Sequence, residues 1–292
     1  MKPIDPLTRR RFLRAVTAAS GAMLASQHAH SAAPADAGKK DDAFSMADIM
    51  RPGSETIFIL LYPGFTAMDA IGPEYALSCM TGATVRFIAK TAKPVRTESG
   101  FEVTPHLTFD QLPEKPTLFI VPGGTKGTIE AIGDAVTRDF VRKAGSASEF
   151  AGSVCTGSLL LGAAGLLDGY EATSHWQTLE LLPIFGAKPS KKRVVFDRNR
   201  VTGAGVTAGL DFSLELVRHF RGDSYAKGVQ LLGQYDPQPP FPGGGNPDSA
   251  DPQLVAMLNE MHKPFIASYA ESIRKTHIST GTRQNKNNTI HQ

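Results

Sequence analysis

The chain has 292 residues, 41% of them hydrophobic and 20% charged, with a formal net charge of +3. This is the composition of an ordinary globular protein, long enough for one α/β domain with a sizeable core or for two small ones, and it excludes disordered and fibrous classes. Two cysteines, Cys79 and Cys155, are too few for a disulfide framework.

Residues 1–37 are expected to lie outside the fold. Thr8-Arg9-Arg10-Arg11-Phe12-Leu13-Arg14 precedes a weakly apolar, uncharged stretch from Ala15 to Ala25 and then small-residue triplets such as Ala33-Pro34-Ala35 and Ala35-Asp36-Ala37. That order resembles a twin-arginine export signal, and the apolar stretch is too short to span a membrane. The expectation is a periplasmic or secreted protein that crosses the membrane already folded. The segment carries five basic side chains against two acidic ones, so the rest of the chain is close to neutral. The basic pI therefore gives no support for nucleic-acid binding.

Residues 38–54 read as a polar linker, and the domain is expected over 55–273. Thr56 to Tyr62 is a continuous apolar run of strand length, as suits a strand buried on both faces of a parallel sheet. Pro63-Gly64 ends it, and Gly72-Pro73-Glu74 predicts the start of a helix. Val85–Ala89 and Thr117–Val121 read as further strands, the second stopped by Pro122-Gly123-Gly124, with helical sequence then running to about Ala144. A strand leads into Ser153-Val154-Cys155-Thr156-Gly157, and an apolar helix follows it. Arg193 to Thr202 reads as a hairpin turning at Asp197–Asn199. Thr207 is a candidate cap for a helix whose apolar positions are Leu210, Leu214, Val217 and Phe220. Residues 235–252 are Pro- and Gly-rich and irregular; a last helix is expected from about Pro252 to Ile273, and 274–292 reads as a flexible basic tail. Strands alternating with helices predict a mostly parallel sheet covered on both faces by helices.

A small-x-nucleophile-x-Gly pattern between strand and helix is the outline of a nucleophile elbow, which makes Cys155 the candidate nucleophile. The helix N-terminus behind it is expected to favour the thiolate. Cys79, near a helix end with no elbow, reads as core. In open parallel sheets ligands bind beyond the carboxyl ends of the strands. Three segments meet there: the loop containing Asp69, Gly123-Gly124 with two backbone N–H groups for an oxyanion, and Cys155-Thr156. Asp69 stands between Met68 and Ala70-Ile71, an odd place for a carboxylate unless it faces a pocket. Thr156 is placed either to bond to substrate or to cap the elbow helix. His175 is a candidate base or substrate-binding residue, with a structural histidine as the equal alternative. No residues have metal-ligand spacing, Gly123-Gly124-Thr125-Lys126-Gly127 lacks the full phosphate-loop pattern, and no cofactor is expected.

Pro122-Gly123-Gly124, Val154-Cys155-Thr156-Gly157 and the stretch from Leu159 to His175 resemble the ThiJ/PfpI superfamily, which implies a flavodoxin-like, class I glutamine-amidotransferase-like α/β fold. Met68 to Pro73, Gly203 to Asp211 and Gln234 to Phe241 resemble its isonitrile hydratase branch. The resemblance implies hydration of R–NC to an N-substituted formamide, without a cofactor. It implies Cys155 as nucleophile, Asp69 as the acid and base with a raised pKa, and Thr156 as an assisting residue. It implies a small-molecule substrate and a homodimer. It leaves open a non-catalytic small-molecule-binding or stress protein of the same fold, and a glyoxalase- or deglycase-like hydrolase.

Overall fold

The computed structural model describes residues 52–288, with side chains to residue 275. The expected signal peptide and most of the linker lie outside the described residues.

A seven-stranded sheet organises the chain, in the order β10-β11-β7-β6-β1-β2-β5. Its strands are β1 (Thr56–Leu61), β2 (Thr84–Ala89), β5 (Leu107–Thr108), β6 (Leu118–Val121), β7 (Phe150–Val154), β10 (Val194–Asp197) and β11 (Arg200–Gly203). All neighbours pair in parallel except β10 with β11, the predicted hairpin. Two small ribbons stand apart: antiparallel β3 (Val95–Arg96) with β4 (Glu102–Val103), and parallel β8 (Glu171–Ala172) with β9 (Lys188–Pro189). The central strands β6 and β7 are buried along their whole length, and β1 along all but its first residue. Burial on both faces is why β1 and β6 read as near-continuous apolar runs rather than alternating ones, whereas β7 is built largely of small residues and includes the buried Ser153.

Seven α-helices cover the sheet among the described residues: α1 (Ala67–Ser78), α2 (Lys126–Gly133), α3 (Ala135–Ala147), α4 (Gly157–Ala163), α5 (Ala208–Arg221), α6 (Asp223–Leu232) and α7 (Pro252–Asn288). Several boundaries differ from expectation. Helix α1 begins at Ala67, more than a turn before the predicted opening at Gly72-Pro73-Glu74, so Asp69 lies in its first turn and Pro73 in its interior. The helical sequence after Gly124 is two helices broken at Asp134, whose carboxylate accepts from the Val136 N–H and caps α3. Thr207 precedes α5 without capping it; its hydroxyl takes a bond from Arg193 instead. The buried face of α5 centres on Phe212, Ser213, Leu216 and Val217, whereas Leu210, Leu214 and Phe220 are only half-buried. The predicted tail from 274 is helical backbone to Asn288. Its Lys- and Arg-rich sequence suits the C-terminal end of a helix dipole, and Lys275 pairs with Glu271 one turn back at 2.7 Å.

Register sets the stage for chemistry. Val121 pairs with Ser153, and Val154 with Gly203. The ends of β6, β7 and β11 therefore stop at one level, bringing Gly123, Cys155 and Ala204 side by side at the carboxyl edge of the sheet.

Candidate active site

Cys155 occupies the turn between β7 and α4 with φ +58°, the left-handed region that side chains usually avoid. The surroundings hold it there. Its N–H donates to the carbonyls of Gly203 (3.1 Å) and Ala204 (2.7 Å). Its carbonyl accepts from the hydroxyls of Ser158 and Ser174, each at 3.2 Å. Gly157 is required because a Cβ there would overlap the Val121 carbonyl. The elbow predicted from the sequence is thus present and strained.

Asp69 is fully buried. Its Oδ2 accepts from the Gly123 N–H at 2.9 Å, while Oδ1 has no hydrogen-bond partner. Burial raises its pKa to about 8, with the Glu98 carboxylate pushing the same way and the Gly123 N–H opposing. At neutral pH the group is an un-ionised acid. With Oδ2 engaged by the Gly123 N–H, Oδ1 is the oxygen left open to carry the proton. The raised value expected for Asp69 is met, although its position in the first turn of a helix would by itself favour the carboxylate.

The expected thiolate is not the resting form. Burial pushes the Cys155 thiol well up, and the neighbouring Asp69 adds to it; the Thr156 N–H opposes and is outweighed. Helix α4 has only seven residues, and its dipole does not offset the loss of water around sulfur.

Gly123 and Gly124 do not offer their N–H groups to a ligand, as had been expected. Gly123 N–H is taken by Asp69 and Gly124 N–H by Thr156 Oγ1 at 3.0 Å. The pair positions the acid and the threonine instead of forming an oxyanion hole. Thr156 Oγ1 also donates to the Gly124 carbonyl at 2.8 Å and lies 3.1 Å from Thr128 Oγ1, which is 2.8 Å from Tyr62 Oη. The threonine hydroxyl is committed to the loop. A Cβ on Gly123 would lie 2.7 Å from Thr156 N and 2.8 Å from both Asp69 Oδ2 and Thr156 Oγ1. Gly123→Ala is therefore expected to destabilise the fold by roughly 1–3 kcal/mol and to displace the acid from the thiol, an effect readable as a lower Tm together with lost activity.

A cavity of about 130 Å³ opens over Cys155 and Thr156. His175 lines it, half-buried, with its pKa lowered to about 4 by burial and by the nearby His262. It is neutral at working pH. Its Nδ1 accepts a long 3.4 Å bond from the Gln177 N–H, and no hydrogen bond joins it to Cys155 among the described residues. This geometry makes it a wall of the pocket rather than the base for the thiol.

Sequence reasoning missed several lining residues. Glu98 accepts from Thr66 Oγ1 (2.6 Å) and from Thr125 N–H (3.2 Å) at the mouth. Helix α7 supplies His262, Phe265, Ile266 and Tyr269. Tyr269 Oη lies 2.6 Å from the Gly124 carbonyl and 2.7 Å from that of Thr125, sharing its proton between them. The spacing of those four residues marks one helix face, a signal that was legible; which surface that face covers was not.

The chain is similar to several known proteins. The chain is 42% identical over 210 residues to an isonitrile hydratase of Pseudomonas putida, spanning 72% of this chain and 91% of that protein. A solved structure of a THiJ/PfpI family protein from Pseudomonas syringae is 41% identical, with a TM-score of 0.76, covering 81% of this chain and 98% of the other. The helix-turn-helix-type transcriptional regulator CdhR of Pseudomonas aeruginosa is 30% identical over 189 residues, which are 62% of this chain and 55% of the regulator. Residues 55–219, which carry the sheet, Asp69, the Gly123-Gly124 loop and the Cys155 elbow, match the DJ-1/PfpI family, and the chain belongs to that family.

Proposed function

We propose that the protein hydrates isonitriles to N-substituted formamides, with Cys155 as nucleophile and Asp69 as the acid and base. The carrying observation is the buried Asp69 carboxyl, un-ionised at neutral pH, coupled electrostatically to Cys155 and with one oxygen, Oδ1, left without a hydrogen-bond partner. The likeness to the Pseudomonas putida isonitrile hydratase supports the same reading.

An isonitrile carbon accepts a proton and then a nucleophile at the same atom. Asp69 Oδ1–H protonates that carbon, and Cys155 Sγ attacks it as its thiol proton passes to the carboxylate just formed. The product is a thioimidate, R–N=CH–S–Cys155. Water adds to that carbon, Asp69 again relaying the proton, and the tetrahedral adduct expels sulfur as R–NH–CHO leaves. One water is consumed and both residues return to their starting forms. Two neutral groups suffice at rest, so the raised pKa of the thiol is no obstacle. Val206, Phe265 and Ile266 give the pocket an apolar wall for a compact R group.

Purified full-length chain is expected to release N-cyclohexylformamide from cyclohexyl isocyanide. The rate should be flat at neutral pH and fall as pH rises through about 8, where Asp69 loses its proton. Absence of formamide, or a rate that increases through that range, would exclude Asp69 as the acid.

Export and self-association belong to the same reading. The protein works outside the cytoplasm as a homodimer, on a small-molecule substrate. Arg9→Lys with Arg10→Lys is expected to retain the full-length chain inside the cell, seen by fractionation, and sedimentation of the purified protein is expected to give a dimer mass. Unchanged export of the variant, or a monomer, would count against these assignments.

A further inference from the structure

A second, larger cavity of about 510 Å³ lies beyond the carboxyl ends of β1 and β2. That volume is in the range that holds a small organic ligand, roughly 300–1,000 Å³, and the position is one where open parallel sheets place ligands. It shares no lining residue with the Cys155 pocket. The two are separated where the Gly64 and Gly127 backbones meet, so closely that a Cβ on Gly64 would lie 3.0 Å from Gly127 Cα.

The lining is divided between an apolar floor and a charged mouth. Buried Leu61, Tyr62, Ala89, Val95 and Ala131 form the floor. Phe109 is fixed beside them by stacking on Phe140, ring centroids 3.7 Å apart. At the mouth are Lys90, Lys93 and Arg96, with Glu130 and Asp134 opposite. Both acids are already engaged. Asp134 accepts from Lys90 Nζ (2.9 Å), Thr137 Oγ1 (2.6 Å) and the Val136 N–H (3.3 Å), and Glu130 pairs with Lys126 at 3.5 Å. No ion pair involves Lys93 or Arg96 among the described residues. Two adjacent, exposed cations thus stand over a rigid apolar floor.

We infer that this cavity is a binding site for a small amphipathic monoanion, a carboxylate with a medium-length apolar body, whose head is held by Lys93 and Arg96 and whose body lies over Phe109, Val95 and Ala131. Arg96 offers the forked donor pair that a carboxylate accepts. The Tyr62 hydroxyl of the floor is already engaged by the Pro122 carbonyl and Thr128, and that of Thr137 by Asp134, which leaves little for a sugar. This site is independent of the hydration reaction.

The full chain is titrated calorimetrically with octanoate and, in parallel, with octylamine. Saturable binding of one octanoate per chain at sub-millimolar Kd is expected, with octylamine weaker by at least about tenfold. Lys93→Gln with Arg96→Gln should weaken octanoate by at least about tenfold while leaving isonitrile hydration and thermal stability unchanged. Equal binding of octylamine would overturn the assignment. So would undiminished octanoate binding by the double variant, which would place the ligand in the Cys155 pocket. A double variant that changes oligomeric state, with no octanoate bound by the wild type, would instead make this face a contact between copies of the chain and overturn the proposal.

Discussion

Cys155→Ala is expected to reduce isonitrile hydration by roughly 10⁴-fold or more in kcat, since the covalent intermediate no longer forms and water alone must attack. The variant should remain folded, because the elbow is held by backbone and serine groups rather than by Sγ. Cys155→Gly should be equally inactive yet more stable than Cys155→Ala by about 1 kcal/mol, because glycine adopts φ +58° without strain. The resting state of sulfur is separately testable. With its pKa pushed up by burial, Cys155 should react with iodoacetamide at pH 7 more slowly than free glutathione, and its rate should climb only at strongly alkaline pH. Mass spectrometry of the Cys155 peptide reads both. Rapid alkylation at pH 6 would mean a thiolate and would require a different first step.

Much of this site was legible before the fold was known, for a physical reason. Strands buried on both faces are largely apolar, so β1 and β6 stood out as runs. A sharp strand-to-helix turn needs small neighbours, so Ser153 to Gly157 exposed the elbow. Asp69 announced itself by being a carboxylate among apolar residues. What local pattern could not show was the partner each group would meet. Gly123 and Gly124 looked like free donors because their acceptors, Asp69 and Thr156, lie 54 and 32 residues away. The start of α1 was misplaced because proline usually opens a helix. Here Pro73 sits inside one, against Gly209 of α5, where a Cβ would touch its ring at 3.4 Å. The state of sulfur was misjudged because a helix N-terminus is visible in sequence, whereas the depth of burial that outweighs it comes from the whole domain.

Asp69→Asn is expected to lower kcat by at least about 10³-fold while making the protein more stable. Asparagine retains an acceptor for the Gly123 N–H and, like the protonated acid, carries no charge, so the hydrogen bond in the loop survives. It has no proton to give to carbon and cannot take one from sulfur. The gain in stability follows from linkage. Between the ordinary value of 3.8 and the folded value of about 8, the folded protein holds a proton that the unfolded chain releases. Rising pH through that window therefore favours unfolding, and below 3.8 the penalty vanishes. At pH 7 the penalty is on the order of 4 kcal/mol, and the asparagine variant escapes it. The Tm difference between variant and wild type should thus widen from pH 5 to pH 8.5, by several degrees for a domain of this size. A difference that stays constant with pH would show that Asp69 folds without retaining its proton. An un-ionised acid held at neutral pH is costly to the fold, and its retention beside Cys155 is understandable if proton transfer to carbon begins the reaction.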